Sequence, residues 1–308
     1  MVKLFVLSSA LCVSLVLSVG IKYSQVCIEF GSNLGEKVPS RVQYLFNKSN
    51  LNVVISTGLD NDVIESKYKT LFLSFGNTTL SEYYINLNKI DNEGYQIISK
   101  VNISKTSNTL IVTNGKPMKH DDSFELSFDT DRIHYGAVVG TYAVLEILGF
   151  AFLHPMDPII VASTVNYLVY KGDKLGNLDD INIIEAPFWP MRTWHIHTQH
   201  PLEFTEVLNG YDIPMFTSDT DESVDSYTNV GDEHRCLPNE YCESWDSMFE
   251  SLDGLFEWLV ANKQNRVEVL LLGSPKWDII NNLTTGSIRQ ERLKAINQLC
   301  HDFGLIIG

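Results

Sequence analysis

The chain has 308 residues, with 38 Asp and Glu against 23 Lys and Arg and a formal net charge of −15 at pH 7. This balance excludes nucleic acid and anionic membrane as main partners, because both need a basic surface. A hydrophobic content of 44% is ordinary for a globular protein, and the length suits about two domains.

The N-terminus, Met1-Val2-Lys3 and then an apolar run from Leu4 to Val19, predicts a secretory signal peptide over residues 1–20, cleaved near Gly20. The run is short for a membrane helix, which needs about 20 apolar residues, and no second span follows. An uncleaved anchor is the alternative. The expectation is a mature chain without a membrane partner, secreted or delivered to the endolysosomal lumen. Four N-x-S/T sequons, at Asn47, Asn77, Asn102 and Asn282, agree with secretion and are glycosylation candidates. Of five cysteines, Cys12 falls in the signal peptide. Cys236 and Cys242 lie six apart in a polar segment and are the disulfide candidates. Cys27 and Cys300 fall in different predicted domains, and Cys300 on an amphipathic helix suits a buried thiol.

Residues 21–185 form the first predicted domain. Strand candidates are Asn52–Thr57, Thr70–Phe75, Tyr95–Val101 and Thr109–Thr113, each rich in β-branched or aromatic residues and bounded by turn signals such as Asn114-Gly115. A helix is predicted over Ile133–Leu148, with Asp129, Thr130 or Asp131 as N-cap and Gly149 as the glycine after its C-cap. Glu146 is its only acid, so it is apolar on all sides and expected to be buried. Gly136 and Gly140 share a face, and that face is expected to press on a sheet. Phe150–Leu153 suits a short strand, broken at His154-Pro155. Strands on one side and helix on the other make an α+β layer, and no group of nucleophile, base and oxyanion donors appears in it.

The pattern Tyr135-Gly136, Gly140, Tyr142, Leu145-Glu146, Leu148-Gly149, Phe152 and Pro155 resembles the end of the small α/β domain that precedes the barrel in family 20 β-hexosaminidases and family 67 α-glucuronidases. Glu185–Trp194, EAPFWPMRTW, is similar to the Pro-aromatic-Arg approach to the first barrel strand in those families. The resemblance implies a non-catalytic N-terminal domain, then a (β/α)8 barrel over residues 186–308.

Thr193–His197 has strand character, and alternation sets Thr193, His195 and His197 on one face. As barrel strand one, its His197 end is the C-terminal end, where barrel enzymes hold their sites. Arg192, His195, His197 and His200 are therefore candidates for binding sugar hydroxyls. His-x-His also resembles the first strand of metal-dependent amidohydrolases, and a structural role for the histidines is a third reading. The family 20 pattern has an Arg on strand one, shortly after an Asp, that grips the terminal sugar. Aligned from Arg192, His197 and His200 occupy those positions, so the chain departs from hexosaminidases at a sugar contact.

Residues 217–246 carry nine acids against Arg235 alone and suit a solvated loop. Asp219, Asp221 and Asp225 have calcium-ligand chemistry but lack the glycine and terminal glutamate of an EF-hand loop. Ser244–Asn262 has the spacing of an amphipathic helix, Arg266–Leu272 reads as a buried strand, and Trp277 in its exit loop is a stacking candidate. A helix over Ser287–Phe303 and a strand from Leu305 complete the pattern. Residues 191–308 supply under half of the roughly 250 that a typical barrel takes. Family 20 enzymes hold their Asp-Glu catalytic pair at the end of barrel strand four, so the expectation is a truncated gene product with no assignable catalytic residue, cofactor or bound metal. The expected function is that of a secreted glycoside-hydrolase-like protein with oligo- or polysaccharide as its partner. The alternatives are a non-catalytic carbohydrate-binding or interaction module and a metal-dependent amidohydrolase-like barrel.

Overall fold

The computed structural model describes residues 21–22, 25–48, 53–56, 70–101, 109–118, 133–155, 167–168, 181–197, 208, 244–270 and 283–307. The chain divides into two compact units, Met1–Ala151 with Pro158–Pro187, and Phe152–Asp157 with Phe188–Gly308.

In the first unit the elements run β1 (Ile21–Lys22), β2 (Gln25–Phe30), α1 (Lys37–Lys48), β3 (Val53–Ser56), β4 (Thr70–Phe75), α2 (Thr79–Tyr84), β5 (Tyr95–Val101), β6 (Thr109–Gly115), α3 (Tyr135–Ile147), β7 (Tyr167–Leu168) and β8 (Asn182–Glu185). Six strands make one sheet in the order β3-β2-β4-β6-β5-β8. The first four are mutually parallel, and β5 runs antiparallel to both β6 and β8. Every residue of β4 and β6 is buried, which requires cover on both faces of the sheet. On one face Cys27, Phe72, Leu110 and Val112 cluster with Ile85 and Ile90, which follow α2. The other face carries α3. The sequence points to a single helical layer, and the structure differs by having two. Ahead of the predicted strand at β3, the sequence reading lacks β2 and α1, whose buried Val38, Val42, Leu45 and Phe46 hold the helix to the unit's core.

Helix α3 follows its sequence pattern closely. Ten of its residues are buried, including Tyr135 and Tyr142. A Cβ on Gly136 would lie 2.2 Å from the Gly94 carbonyl oxygen, and one on Gly140 would lie 2.5 Å from Thr113 Oγ1. The two glycines thus let the helix backbone touch β5 and β6. Gly149 has φ of 103°. Its N–H donates to the Glu146 carbonyl at 2.9 Å and the Phe150 N–H to the Leu145 carbonyl at 3.0 Å, a Schellman closure. The N-terminus differs from expectation. His134 is the N-cap and makes no side-chain cap bond, while residues 129–131 lie outside the described residues. Phe150–Leu153 is not a strand either: Ala151 makes only an isolated bridge.

The second unit contains β9 (Thr193–His197), α4 (Trp245–Ala261), β10 (Arg266–Leu270), α5 (Leu283–Asp302) and β11 (Ile306–Ile307). The three strands are parallel in the order β11-β10-β9. Consecutive parallel strands joined by helices are the opening arrangement of a barrel and of an open α/β sheet alike. Helix α4 starts at Ser244, whose Oγ accepts from the Ser247 N–H. It ends in a second Schellman closure, with Lys263 at φ 62° and the Gln264 N–H donating to the Leu259 carbonyl at 2.9 Å. Segment Phe152–Pro155 lies against this helix. Asn262 Nδ2 donates to the Phe152 carbonyl at 3.0 Å, and a Cβ on Gly254 would stand 2.7 Å from the Pro155 carbonyl oxygen.

Replacing Gly136 with Ala tests the helix-on-sheet contact. Alanine gains about 1 kcal/mol of helix propensity, but its methyl would meet backbone, and overpacking of this kind costs about 1–3 kcal/mol. A lower urea midpoint is the expected outcome, and an unchanged or raised midpoint would refute the close approach.

Candidate functional site

The site is built on β9 and β10. Their register pairs Thr193 with Arg266, Trp194 with Val267, His195 with Glu268, and His197 with Leu270. Trp194 meets Trp258 of α4 edge to face, with ring centroids 5.2 Å apart. Val267, its register partner, is fully buried. This is the helix-covered face, and strand alternation therefore puts His195 and Glu268 on the opposite one. There His195 Nδ1 stands 3.0 Å from Glu268 Oε2. The two side chains are 52% and 28% exposed, so the pair is open to a ligand.

Arg266 Nε lies 3.8 Å from Glu268 Oε1, close enough for an ion pair and too far for a hydrogen bond. Arg266 Nε and the neighbouring Thr193 Oγ1 are buried without a hydrogen-bond partner. An acid between an imidazole and a guanidinium, with unused polar groups beside it, can orient a polar ligand. Among the described residues, no group of three His, Cys, Asp or Glu is arranged to hold a metal ion.

Arg192 is set apart from this face. Its Nε donates to the Lys263 carbonyl at 2.6 Å, and its Nη1 donates to the Trp189 carbonyl. Asn265 completes the clamp. Its Oδ1 accepts from the Arg192 N–H at 2.9 Å, its Nδ2 donates to the Pro190 carbonyl at 2.8 Å, and its carbonyl accepts from the Ile306 N–H at 3.0 Å. These bonds fasten the N-terminal end of β9, opposite to the His197 end. Arg192 thereby fixes the strand, and its bonds to backbone occupy the guanidinium that sequence offers as a sugar ligand.

The His197 side chain, His200, Trp277, Cys236, Cys242, Asn102, Asn282 and the acids Asp219, Asp221 and Asp225 lie outside the described residues. Asn47, late in α1, and Asn77, before α2, are exposed. Cys27 and Cys300 are free, buried thiols. Burial, with the Glu29 carboxylate adding to it, pushes Cys27 up to about 11, and burial raises Cys300 strongly. Neither thiol is poised as a nucleophile. Glu268 and Asn265 are the residues that sequence reasoning misses. The signal for Glu268 is an acid flanked by valines inside the strand.

The first unit has a second place to examine. Strand order reverses between β2 and β4, where α/β sheets commonly hold ligands beyond the strand ends. Here that position is filled. A Cβ on Gly31 would lie 2.3 Å from the Asn77 nitrogen, and Asn33 Oδ1 accepts from the Asn77 N–H at 2.6 Å. Asn33 Nδ2 also donates to Asn114 Oδ1 at 3.1 Å, and Ser74 Oγ to Glu29 Oε2 at 3.1 Å. These polar groups satisfy one another, which suits a scaffold.

No family model matches the chain, and no curated protein matches it. Among solved structures it is similar to one titled "Structure of CpGH84D", at 12% identity and a TM-score of 0.36, over 94% of this chain and 43% of that one. The chain thus spans less than half the length of that structure.

The Asn265 clamp has a measurable consequence. Asn265→Ala leaves the Arg192 N–H and the Pro190 carbonyl without these partners, at a cost of about 1–3 kcal/mol for buried polar groups. Urea unfolding should show that loss for Asn265→Ala and little change for His195→Ala, whose ring is half exposed.

Proposed function

We propose that this protein is a secreted, glycoside-hydrolase-like protein that acts on oligo- or polysaccharide. In this reading the second unit supplies the opening β/α units of a (β/α)8 barrel, and the first unit is its non-catalytic companion. The observation that carries the proposal is the polar row His195, Glu268 and Arg266 on the sheet face opposite α4. In a barrel that face is the interior, and His197 ends the same strand at its C-terminal end. The likeness of Tyr135–Pro155 and Glu185–Trp194 to the hexosaminidase and glucuronidase patterns supports the same reading. No catalytic residue is assigned, since glycosidic cleavage needs two carboxyl groups flanking the bond and Glu268 is held by His195 and Arg266.

The test is calorimetric titration of the full chain with chitotriose, xylotriose and a glucuronic-acid-bearing xylotriose. Binding of at least one is expected. His195→Ala and His197→Ala should each weaken it by about tenfold, equivalent to about 1.4 kcal/mol. A metal reading is favoured by one observation: a histidine whose second ring nitrogen bonds a carboxylate is held as metal-ligating histidines are. Stoichiometric zinc that is lost in the His195→Ala, His197→Ala double variant, with no sugar bound, would replace the sugar reading by the metal one.

Secretion is tested separately. Mass spectrometry of the secreted product should find an N-terminus near Ile21 and glycan on Asn47 or Asn77, both of which are exposed. Unglycosylated intracellular protein retaining Met1 would overturn it.

A further inference from the structure

We infer that Glu268 is a positioning residue for His195: its carboxylate accepts a hydrogen bond from Nδ1–H, fixes that tautomer, and leaves Nε2 as a hydrogen-bond acceptor for a sugar hydroxyl. The inference rests on the sugar reading for its ligand and on geometry for the pair itself. Glu268 and His195 are direct register partners on adjacent parallel strands, with Nδ1 to Oε2 at 3.0 Å. An ionised carboxylate only accepts, so the nitrogen facing it carries the hydrogen, and in a neutral ring the other nitrogen carries a lone pair. Among the described residues no second group holds the ring.

The surroundings keep Glu268 in that role. Its strand, β10, lies between β9 and β11 and is bonded on both edges. That makes it the most fixed of the three, and a site gains precision from rigid elements. Arg266 Nε at 3.8 Å from Oε1 keeps a positive charge beside the acid. The three groups together carry no net charge when the imidazole is neutral. A neutral imidazole with Nε2 as acceptor has no proton there to offer a carboxylate, but it can receive one from a hydroxyl. The ligand class at this position is therefore a neutral sugar hydroxyl, and an acidic sugar gains nothing from His195 through its carboxylate.

The experiment is long-range 1H–15N correlation on the full chain with 15N-labelled histidine, at a pH where the ring is neutral. The expected result is His195 in the Nδ1–H form, shifting to Nε2–H in Glu268→Leu and staying Nδ1–H in Glu268→Gln, which keeps an acceptor oxygen. An Nε2–H ring in the unmodified protein overturns the inference, and that spectrum decides the matter even where the leucine variant does not fold. Chitotriose and xylotriose are then titrated in, and the Nε2 resonance is expected to move with whichever binds. An Nδ1–H ring whose Nε2 responds to neither, in a chain that binds the sugar elsewhere, overturns the hydroxyl contact while leaving the pair intact. An Nδ1–H ring in a chain that binds no sugar overturns the proposed function instead.

Discussion

Gly136 of α3 brings helix backbone against strand backbone, and much of the first unit follows from that approach. Its N–H donates to the Lys116 carbonyl at 2.9 Å, and the Lys116 N–H donates to the Gly94 carbonyl at 2.9 Å. Any side chain at Gly136 would displace this arrangement, since its first carbon would already overlap Gly94. With the helix so near the sheet, Tyr135 and Tyr142 are enclosed and the strands beneath can be apolar on that face. The phenol of Tyr95 donates to the Glu185 carboxylate. Burial comes first in raising that phenol's pKa, and the bond to Glu185 adds to it. The Gly149 closure ends the helix, and the next residue, Phe150, meets Phe46 of α1 edge to face, with centroids 5.2 Å apart. A cost of about 1 kcal/mol in helix propensity for each glycine is the condition of this close fit.

The chain turns from helix to following segment by one repeated device. Helices α3 and α4 both close with paired bonds from the two residues beyond the cap. After α5, Gly304 at φ 73° gives the Leu305 N–H its bond to the Cys300 carbonyl. At α4 the left-handed position is held by Lys263 rather than glycine. A non-glycine residue there is disfavoured, and Lys263 is also the residue whose carbonyl receives Arg192 Nε. The turn that ends α4 and the clamp that starts β9 are thus one piece of structure.

How much of this could be read from the residues varied with the kind of information required. Strands β4 and β5 and helix α4 carry period or composition strong enough to place them within a residue or two. The glycines of α3 declare their role because no other reason for two glycines on one helical face is as simple. Strand β2 is harder. Cys27 and Glu29 interrupt its apolar run, and its burial comes from neighbours on both sides that no local pattern reveals. Helix α1 contains Pro39, which lowers its propensity, yet Val38, Val42, Leu45 and Phe46 have helical spacing. The face of His195 follows from alternation alone. Its partner does not, because register between strands 73 residues apart in sequence is a tertiary fact. Arg192 was ambiguous for the same reason: a guanidinium beside a histidine strand suggests a ligand, and only the path of the Pro190 turn and the α4–β10 turn shows where its hydrogens go.

The chain visits the second unit, leaves it, and comes back. Phe152–Asp157 belongs there, Pro158–Pro187 returns to the first unit, and Phe188 begins the longer passage. Carbonyls of the short visit meet Asn262 and the bare Gly254 of α4. A polypeptide beginning at Phe188 would therefore carry a helix with a notch at Gly254, and its Asn262 amide would lose the Phe152 carbonyl while keeping its bond to the Trp258 carbonyl. One ending at Ala151 would lack β8, an edge of its sheet. Neither unit can be excised by a single cut, and ribosomal order matters accordingly. The first unit's sheet waits for residues 182–185, by which time the loop that serves the second has already emerged.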